Sequence, residues 1–187
     1  MSEVTAAQAW QVFEQAECLY DEPRVEVALD LMALQISDRI AQSSPLVVCL
    51  MNGGVVPFGK LLTRLLFPLQ VDYVHATRYG ARLKGGELDW IAGPFVPPRD
   101  RNVLLVDDIL DEGATLAAIE KYYRTEGARE VLKAVLVRKL RPRTVAIDVE
   151  FVGLDIPDRY VFGYGMDYKG WLRNAPGIYA VAPVHEK

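Results

Sequence analysis

The chain has 187 residues, the length of one ordinary domain. About half of them (51%) are apolar, enough for a full core, and a net charge of −4 leaves no broad basic surface for nucleic acid. The two cysteines, Cys18 and Cys49, lack metal or redox spacing, and no apolar run reads as a signal peptide or membrane span. A soluble cytoplasmic protein, with neither nucleic acid nor membrane as partner, is the expectation.

Residues 1–40 are helical in pattern. Pro23 after Asp21 and Glu22 opens a helix, and Val25, Leu29, Met32, Ile36 and Ile40 recur at three- and four-residue steps on one apolar face. Residues 46–51 form a continuous apolar run, the pattern of a strand buried on both faces, and Asn52-Gly53-Gly54 ends it. Cys49 within this run reads as a small buried hydrophobe. Residues 55–66 suggest a helix stopped by Pro68, and residues 69–75 alternate like a strand. Residues 78–100 are polar and rich in Gly and Pro, with a short strand-like piece at 88–91. A second buried strand is expected at 103–106, a helix at 115–124 closed by Gly127, and a third buried strand at 131–137. Short strand-like pieces follow at 151–154 and 160–162.

This alternation predicts an α/β fold, a doubly wound, mainly parallel sheet flanked by helices. Ligands of such sheets bind beyond the carboxyl ends of the strands. The places to look are therefore Asn52-Gly53-Gly54, residues 107–115 and the residues after Val137.

The string from Val103 to Thr115 carries the strongest signal. A buried strand runs into two carboxylates, Asp107 and Asp108, with Asp111 three residues on. Gly113, Ala114 and Thr115 then open a helix. Free N–H groups at a helix start and the helix dipole favour an anion, Gly113 permits close approach, and the Thr115 hydroxyl adds a donor. Paired acids beside such a site make sense if a diol or a magnesium ion lies between. Taken singly, Asp107 or Asp108 suits a helix cap or a solvated surface equally well.

The whole string resembles the phosphoribosyl pyrophosphate signature of type I phosphoribosyltransferases: four apolar residues, two acids, two apolar residues, Asp, a variable residue, Gly, a variable residue and Thr. The resemblance implies that Asp107 and Asp108 hold the ribose hydroxyls, directly or through Mg2+, and that Asp111, Glu112, Gly113, Ala114 and Thr115 cradle the 5′-phosphate. Glu112 departs from the family, which commonly has Thr or Ser there. A carboxylate beside a phosphate is repulsive unless it points away, so only the Glu112 backbone N–H is expected to face the ligand.

The C-terminal third narrows the resemblance to hypoxanthine-guanine phosphoribosyltransferases, through Lys139, the Ile156-Pro157-Asp158, Gly163-Tyr164 and Asp167-Tyr168 pieces, Trp171 and Arg173. Alone, Lys139 would read as a solvated lysine, Tyr160 as a core aromatic and Arg173 as a surface residue; their order and spacing favour a site. The resemblance implies that Lys139 donates to the purine 6-oxo group, Tyr160 stacks on the base, Val161 meets its edge through the backbone, and Asp167 accepts from it or from a metal-bound water. Asp107, Asp108 and Asp167 are then the metal-side acids, and Asp111 is the catalytic base for the purine. Pyrophosphate falls to Arg173, to Asn52, Gly53 and Gly54, and to Tyr79 in a loop where Arg78, Arg82, Lys84, Gly85 and Gly86 suit a closing lid; a plain solvated loop is equally open. Asn52 brings no positive charge, so backbone amides would serve there.

The implied activity is purine salvage: transfer of the 5-phosphoribosyl group from phosphoribosyl pyrophosphate to hypoxanthine or guanine, giving IMP or GMP plus pyrophosphate. A xanthine-preferring enzyme and a phosphoribosyl pyrophosphate-sensing regulator are the alternatives. The family also implies a single domain over residues 1–187, a small hood built from the N- and C-terminal segments, and homo-oligomers, dimers or tetramers. The run from Gly54 to Leu61 nearly spells a P-loop, but Leu61 replaces the magnesium-binding Ser or Thr, and Pro57 has no N–H to offer; an ordinary helix start is expected.

Overall fold

Apolar runs too short for helices and bounded by Gly or Pro become the central strands of the protein. The computed structural model describes residues 4–77 and 89–186. A six-stranded sheet is built from β2 (Leu46–Leu50), β3 (Gln70–Thr77), β4 (Asp89–Ala92), β5 (Asn102–Leu110), β6 (Glu130–Leu140) and β7 (Phe151–Pro157). Its order is β4-β3-β2-β5-β6-β7, parallel throughout except for the antiparallel edge strand β4.

Helices cover both faces, as a parallel sheet requires. On one face α2 (Glu22–Ile40) buries Val25, Leu29, Met32, Ile36 and Ile40 against Leu104, Val106, Leu136 and Ile156, with Leu61 of α3 (Val55–Leu62) beside them. On the other, α4 (Ala114–Thr125) sets Leu116, Ile119 and Tyr123 on Val103, Leu105, Val131 and Val135. The alternation of Leu104 and Val106 with Val103 and Leu105 between the two clusters is the period of two of a strand. The expected doubly wound fold is thus what the chain adopts.

A second, three-stranded antiparallel sheet joins β1 (Glu17–Asp21), β9 (Gly177–Ala180) and β8 (Val161–Phe162) in the order β1-β9-β8. Val12 of α1 (Ala6–Gln15) packs with Phe162, Tyr168, Ala175 and Val181 beneath it. Residues 1–40 are not all helical, because β1 separates α1 from α2. Its half-exposed side chains leave no apolar run to read, and its partner β9 is equally short.

Other boundaries shift. The helix expected at 55–66 ends at Leu62, and the strand expected at 103–106 continues to Leu110, because Ile109 and Leu110 keep pairing with Val137 and Arg138. Gly54 through Leu61 do form an ordinary helix start. Among the described residues no helix is long and apolar enough to cross a membrane.

Candidate active site at the topological switch point

Strand β2 lies between β3 and β5, so the connections leaving β2 and β5 depart in opposite directions along the sheet. A crevice opens where they diverge, beyond the carboxyl ends of the strands. Into it come residues 51–54, which follow β2, and residues 111–113, which follow β5.

After β2 the chain turns at once. The Met51–Asn52 peptide is cis. The Gly54 N–H donates to the Leu50 carbonyl at 2.8 Å, and α3 begins. Gly53 lies against Asp108: a Cβ there would stand 2.0 Å from Oδ2. One at Gly54 would stand 2.7 Å from the Val106 carbonyl oxygen. Both glycines are required by the closeness of β2 and β5 rather than by their own dihedral angles.

Asp107 and Asp108 sit inside β5 rather than beyond it. The Asp108 N–H donates to Asp107 Oδ1 at 2.9 Å, and the Ile109 N–H to Asp108 Oδ1 at 2.7 Å. Burial pushes both carboxyls above the ordinary aspartate range. The Asp108 charge adds to the rise at Asp107, whereas the hydrogen bond from Asp107, the Ile109 amide and the Arg173 guanidinium draw part of it back at Asp108. Burial also pushes the nearby Cys49 thiol up to about 12, with these two acids adding, so it is an inert hydrophobe.

Asp111 belongs to a different group of charges. Its Oδ2 accepts from Lys139 Nζ at 2.9 Å and its Oδ1 from Arg141 at 3.1 Å. The Glu112 carboxylate is turned to Arg141 at 2.9 Å. Gly113 takes a φ of 78°, and α4 starts after it with no side-chain cap, so its first N–H groups are open to a ligand at Gly113, Ala114 and Thr115. Arg143 Nε holds the Asp111 carbonyl at 2.9 Å, and the same guanidinium donates to the Lys139 carbonyl, tying the ends of β5 and β6 together.

Lys139 falls within β6, not past it, opposite Ile156 of β7. With Asp108, Ile109, Asp111, Tyr160, Val161, Met166 and Asp167 it lines a cavity of about 150 Å³. That is below the roughly 300–1,000 Å³ of drug-sized sites and on the scale of one heterocycle. Tyr160 faces Tyr168 with ring centroids 5.5 Å apart, and its hydroxyl accepts the Lys169 N–H at 3.0 Å. Asp167 accepts from Arg173 at 2.6 Å and from the Gly170 N–H at 2.7 Å, and Arg173 also donates to the Gly165 carbonyl at 2.6 Å.

Of the described residues named from the sequence, Asp108, Asp111, Lys139, Tyr160, Val161 and Asp167 line the small cavity, Gly53 lies against Asp108 and Arg173 pairs with Asp167; Asn52, Gly54 and Asp107 adjoin them in the chain. Tyr79, with Arg78, Arg82, Lys84, Gly85 and Gly86, lies outside the described residues. Sequence reasoning missed Arg141, Arg143, Ile109 and Met166. Two arginines flanking Pro142, two and four residues after Lys139, were the available signal.

It also missed a buttress behind the crevice. Glu26 of α2 accepts from Lys60 of α3 at 2.6 Å, from Arg64 and from the Tyr164 hydroxyl, and Arg64 reaches Asp30 at 2.6 Å. Burial works against the Glu26 charge, but these three donors outweigh it and hold the carboxyl down at about 2.

The side chains at the end of β5 that could face a cation are carboxylates, hard oxygen donors. Asp107 and Asp108 are bonded to each other and to backbone amides, and among the described residues no group of three or more His, Cys, Asp or Glu side chains could hold a metal ion by itself. Such a donor set fits magnesium, which takes one or two carboxylates and completes its shell with water and substrate phosphates. Both Asp167 oxygens, by contrast, already accept hydrogen bonds.

Comparison with known proteins agrees with this geometry. The phosphoribosyl transferase domain matches residues 15–169. The hypoxanthine-guanine phosphoribosyltransferase of Bacillus subtilis (strain 168) is 26% identical over 166 residues, covering 88% of this chain and 92% of that protein. The enzyme of the same name from Mycoplasma genitalium is 27% identical over 132 residues, covering 70% and 75%. A crystal structure of a hypoxanthine phosphoribosyltransferase from Staphylococcus aureus superposes with a TM-score of 0.86 at 25% identity, covering 91% of this chain and 94% of that one. A crevice at the switch point, an acid pair at the end of β5 and a bare helix start, matched over most of the chain, place this protein in the phosphoribosyltransferase family.

Proposed function

We propose that the protein transfers the 5-phosphoribosyl group of phosphoribosyl pyrophosphate to hypoxanthine or guanine, releasing pyrophosphate, and so serves purine salvage. The observation that carries the reading is the Lys139–Asp111 pair at 2.9 Å in the small cavity. It sets a donor beside an acceptor. The edge of a 6-oxo purine offers the complement, an acceptor at O6 beside a donor at N7. Without a base the two side chains satisfy each other; a base replaces each partner with its own. Adenine presents an amino donor to the lysine and leaves it unpaired in a largely buried place, a strong ground for rejection.

In this reading Asp111 takes the N7 proton as N9 attacks C1′ of the sugar. The Tyr160 ring, with Ile109 and Met166, sandwiches the base, and the Val161 backbone and Asp167 meet its edge. The amides of residues 112–115 and the Thr115 hydroxyl hold the 5′-phosphate. Asp107 and Asp108 hold the ribose diol. Arg173 and the backbone of Asn52, Gly53 and Gly54 face the departing pyrophosphate, where negative charge grows. Magnesium, held from the acid pair's side and by the substrate, would neutralise that charge.

Pyrophosphate release measured with hypoxanthine, guanine, xanthine and adenine tests the reading. Turnover of hypoxanthine and guanine, with adenine inert, is expected. Preference for xanthine would change the base, and no nucleotide from any purine would overturn the proposal.

A further inference from the structure

We infer that Arg141 is a positioning residue for the phosphate cradle: it draws the Glu112 carboxylate out of the loop, so that the amides of 112–115 meet an anion with no like charge among them. The inference deepens the proposed function and rests on its placing of the 5′-phosphate.

Glu112 stands one residue before Gly113, where the backbone turns with φ 78° into the uncapped start of α4. Directed inward, its carboxylate would oppose a phosphate at contact range, and the helix dipole would favour it as a competing occupant of the same amides. It is directed instead at Arg141, 2.9 Å away. Arg141 is itself held by further acids, Asp111 at 3.1 Å and Asp158 at 3.5 Å. Its backbone is fixed as well: its N–H donates to the Lys139 carbonyl at 3.1 Å, and Arg143, two residues on, holds that carbonyl and the Asp111 carbonyl. One arginine thus fixes the loop's backbone and the other removes its unwanted charge. Glu112 and Arg141 keep 40% and 30% of their side-chain surfaces exposed, so solvent weakens the pair, and its effect is expected to be moderate.

The test is a double-mutant cycle read by affinity for ribose 5-phosphate, measured by titration calorimetry on the whole chain. Arg141→Ala should weaken binding by about tenfold. The same change made in a Glu112→Thr background should weaken it by less than about twofold, because no carboxylate is left to misdirect. Equal losses in both backgrounds would make Arg141 a direct phosphate ligand and overturn the inference, as would no loss in either. In turnover, the rise in KM for phosphoribosyl pyrophosphate caused by Arg141→Ala should shrink in the Glu112→Thr background, whereas any change in kcat from the lost Asp111 contact should be alike in both backgrounds. Nucleotide formation by the unaltered protein reports on the transfer reading separately from this cycle.

Discussion

Gly53 lies against Asp108 so closely that no methyl group fits between them; a Cβ on Gly53 would be 2.0 Å from Oδ2 and 2.4 Å from Cγ. Gly53→Ala must push either the Asp108 carboxylate or the turn after β2 out of place. Overpacking of this kind costs about 1–3 kcal/mol, or roughly 2–12 °C in melting temperature for a chain of this size. Displacement of the acid should cost far more in function, a fall in kcat/KM of about 100-fold. Melting curves and steady-state rates check both, and wild-type rates would show that the contact is slack.

Lys139→Ala should separate base from sugar. It removes the donor paired with Asp111 while leaving Asp107, Asp108 and the start of α4 untouched. Turnover with hypoxanthine should fall by about 100- to 1,000-fold in kcat/KM, with KM for phosphoribosyl pyrophosphate changed by less than about threefold. Equal losses toward both substrates would remove Lys139 from the base site.

Asp108→Asn should abolish transfer without loosening the fold. Both acids are raised above their ordinary values, by burial first and by each other at Asp107. A raised carboxyl contributes stability below its unfolded pKa of about 4 and loses it as pH rises through the folded value. At pH 8, above the unfolded value, the pair is therefore a cost. The variant should melt at or above the wild type at pH 8, and the difference should shrink as the pH falls toward 4. A variant clearly less stable at pH 8 would contradict the sign. Melting at or above wild type would make the acids an instance of a functional site held at the expense of stability.

Glu26 has the opposite sign. Lys60, Tyr164 and Arg64 together overcome desolvation and hold it at about 2. Its contribution is present above the ordinary glutamate value of about 4.3 and is lost as pH falls toward 2. Glu26→Gln should be less stable than wild type at pH 7 by about 2 kcal/mol, allowing for partial exposure, and the gap should close between pH 5 and 2. Denaturant unfolding at several pH values measures it; a gap independent of pH would assign the loss to packing instead.

The central sheet was legible because Leu46–Leu50 and the cores of β5 and β6 are buried on both faces and read as unbroken apolar runs. The acids and the helix start of the cradle were legible because they are contiguous in the chain. What escaped was what the chain brings together from afar. β1 is short and largely exposed, β9 is only four residues long, and neither carries a pattern until the other lies beside it. Glu26 meets Tyr164 across 138 positions, and nothing around either residue announces the other. Arg141 was overlooked because its partners Asp111 and Glu112 lie at the end of another strand, far back in the chain.

Gly165 joins two ends of the crevice. Its carbonyl accepts from Arg173, and a Cβ on it would stand 2.0 Å from the Gly53 carbonyl oxygen and 3.4 Å from Asp108 Cβ. A guanidinium pulled toward a new anion would let go of that carbonyl and slacken the stack of glycines in front of the acid. Under the proposed assignment the Arg173 end and the Asp108 end of the crevice meet at one residue with no side chain, so a change at either is expected to be felt at the other.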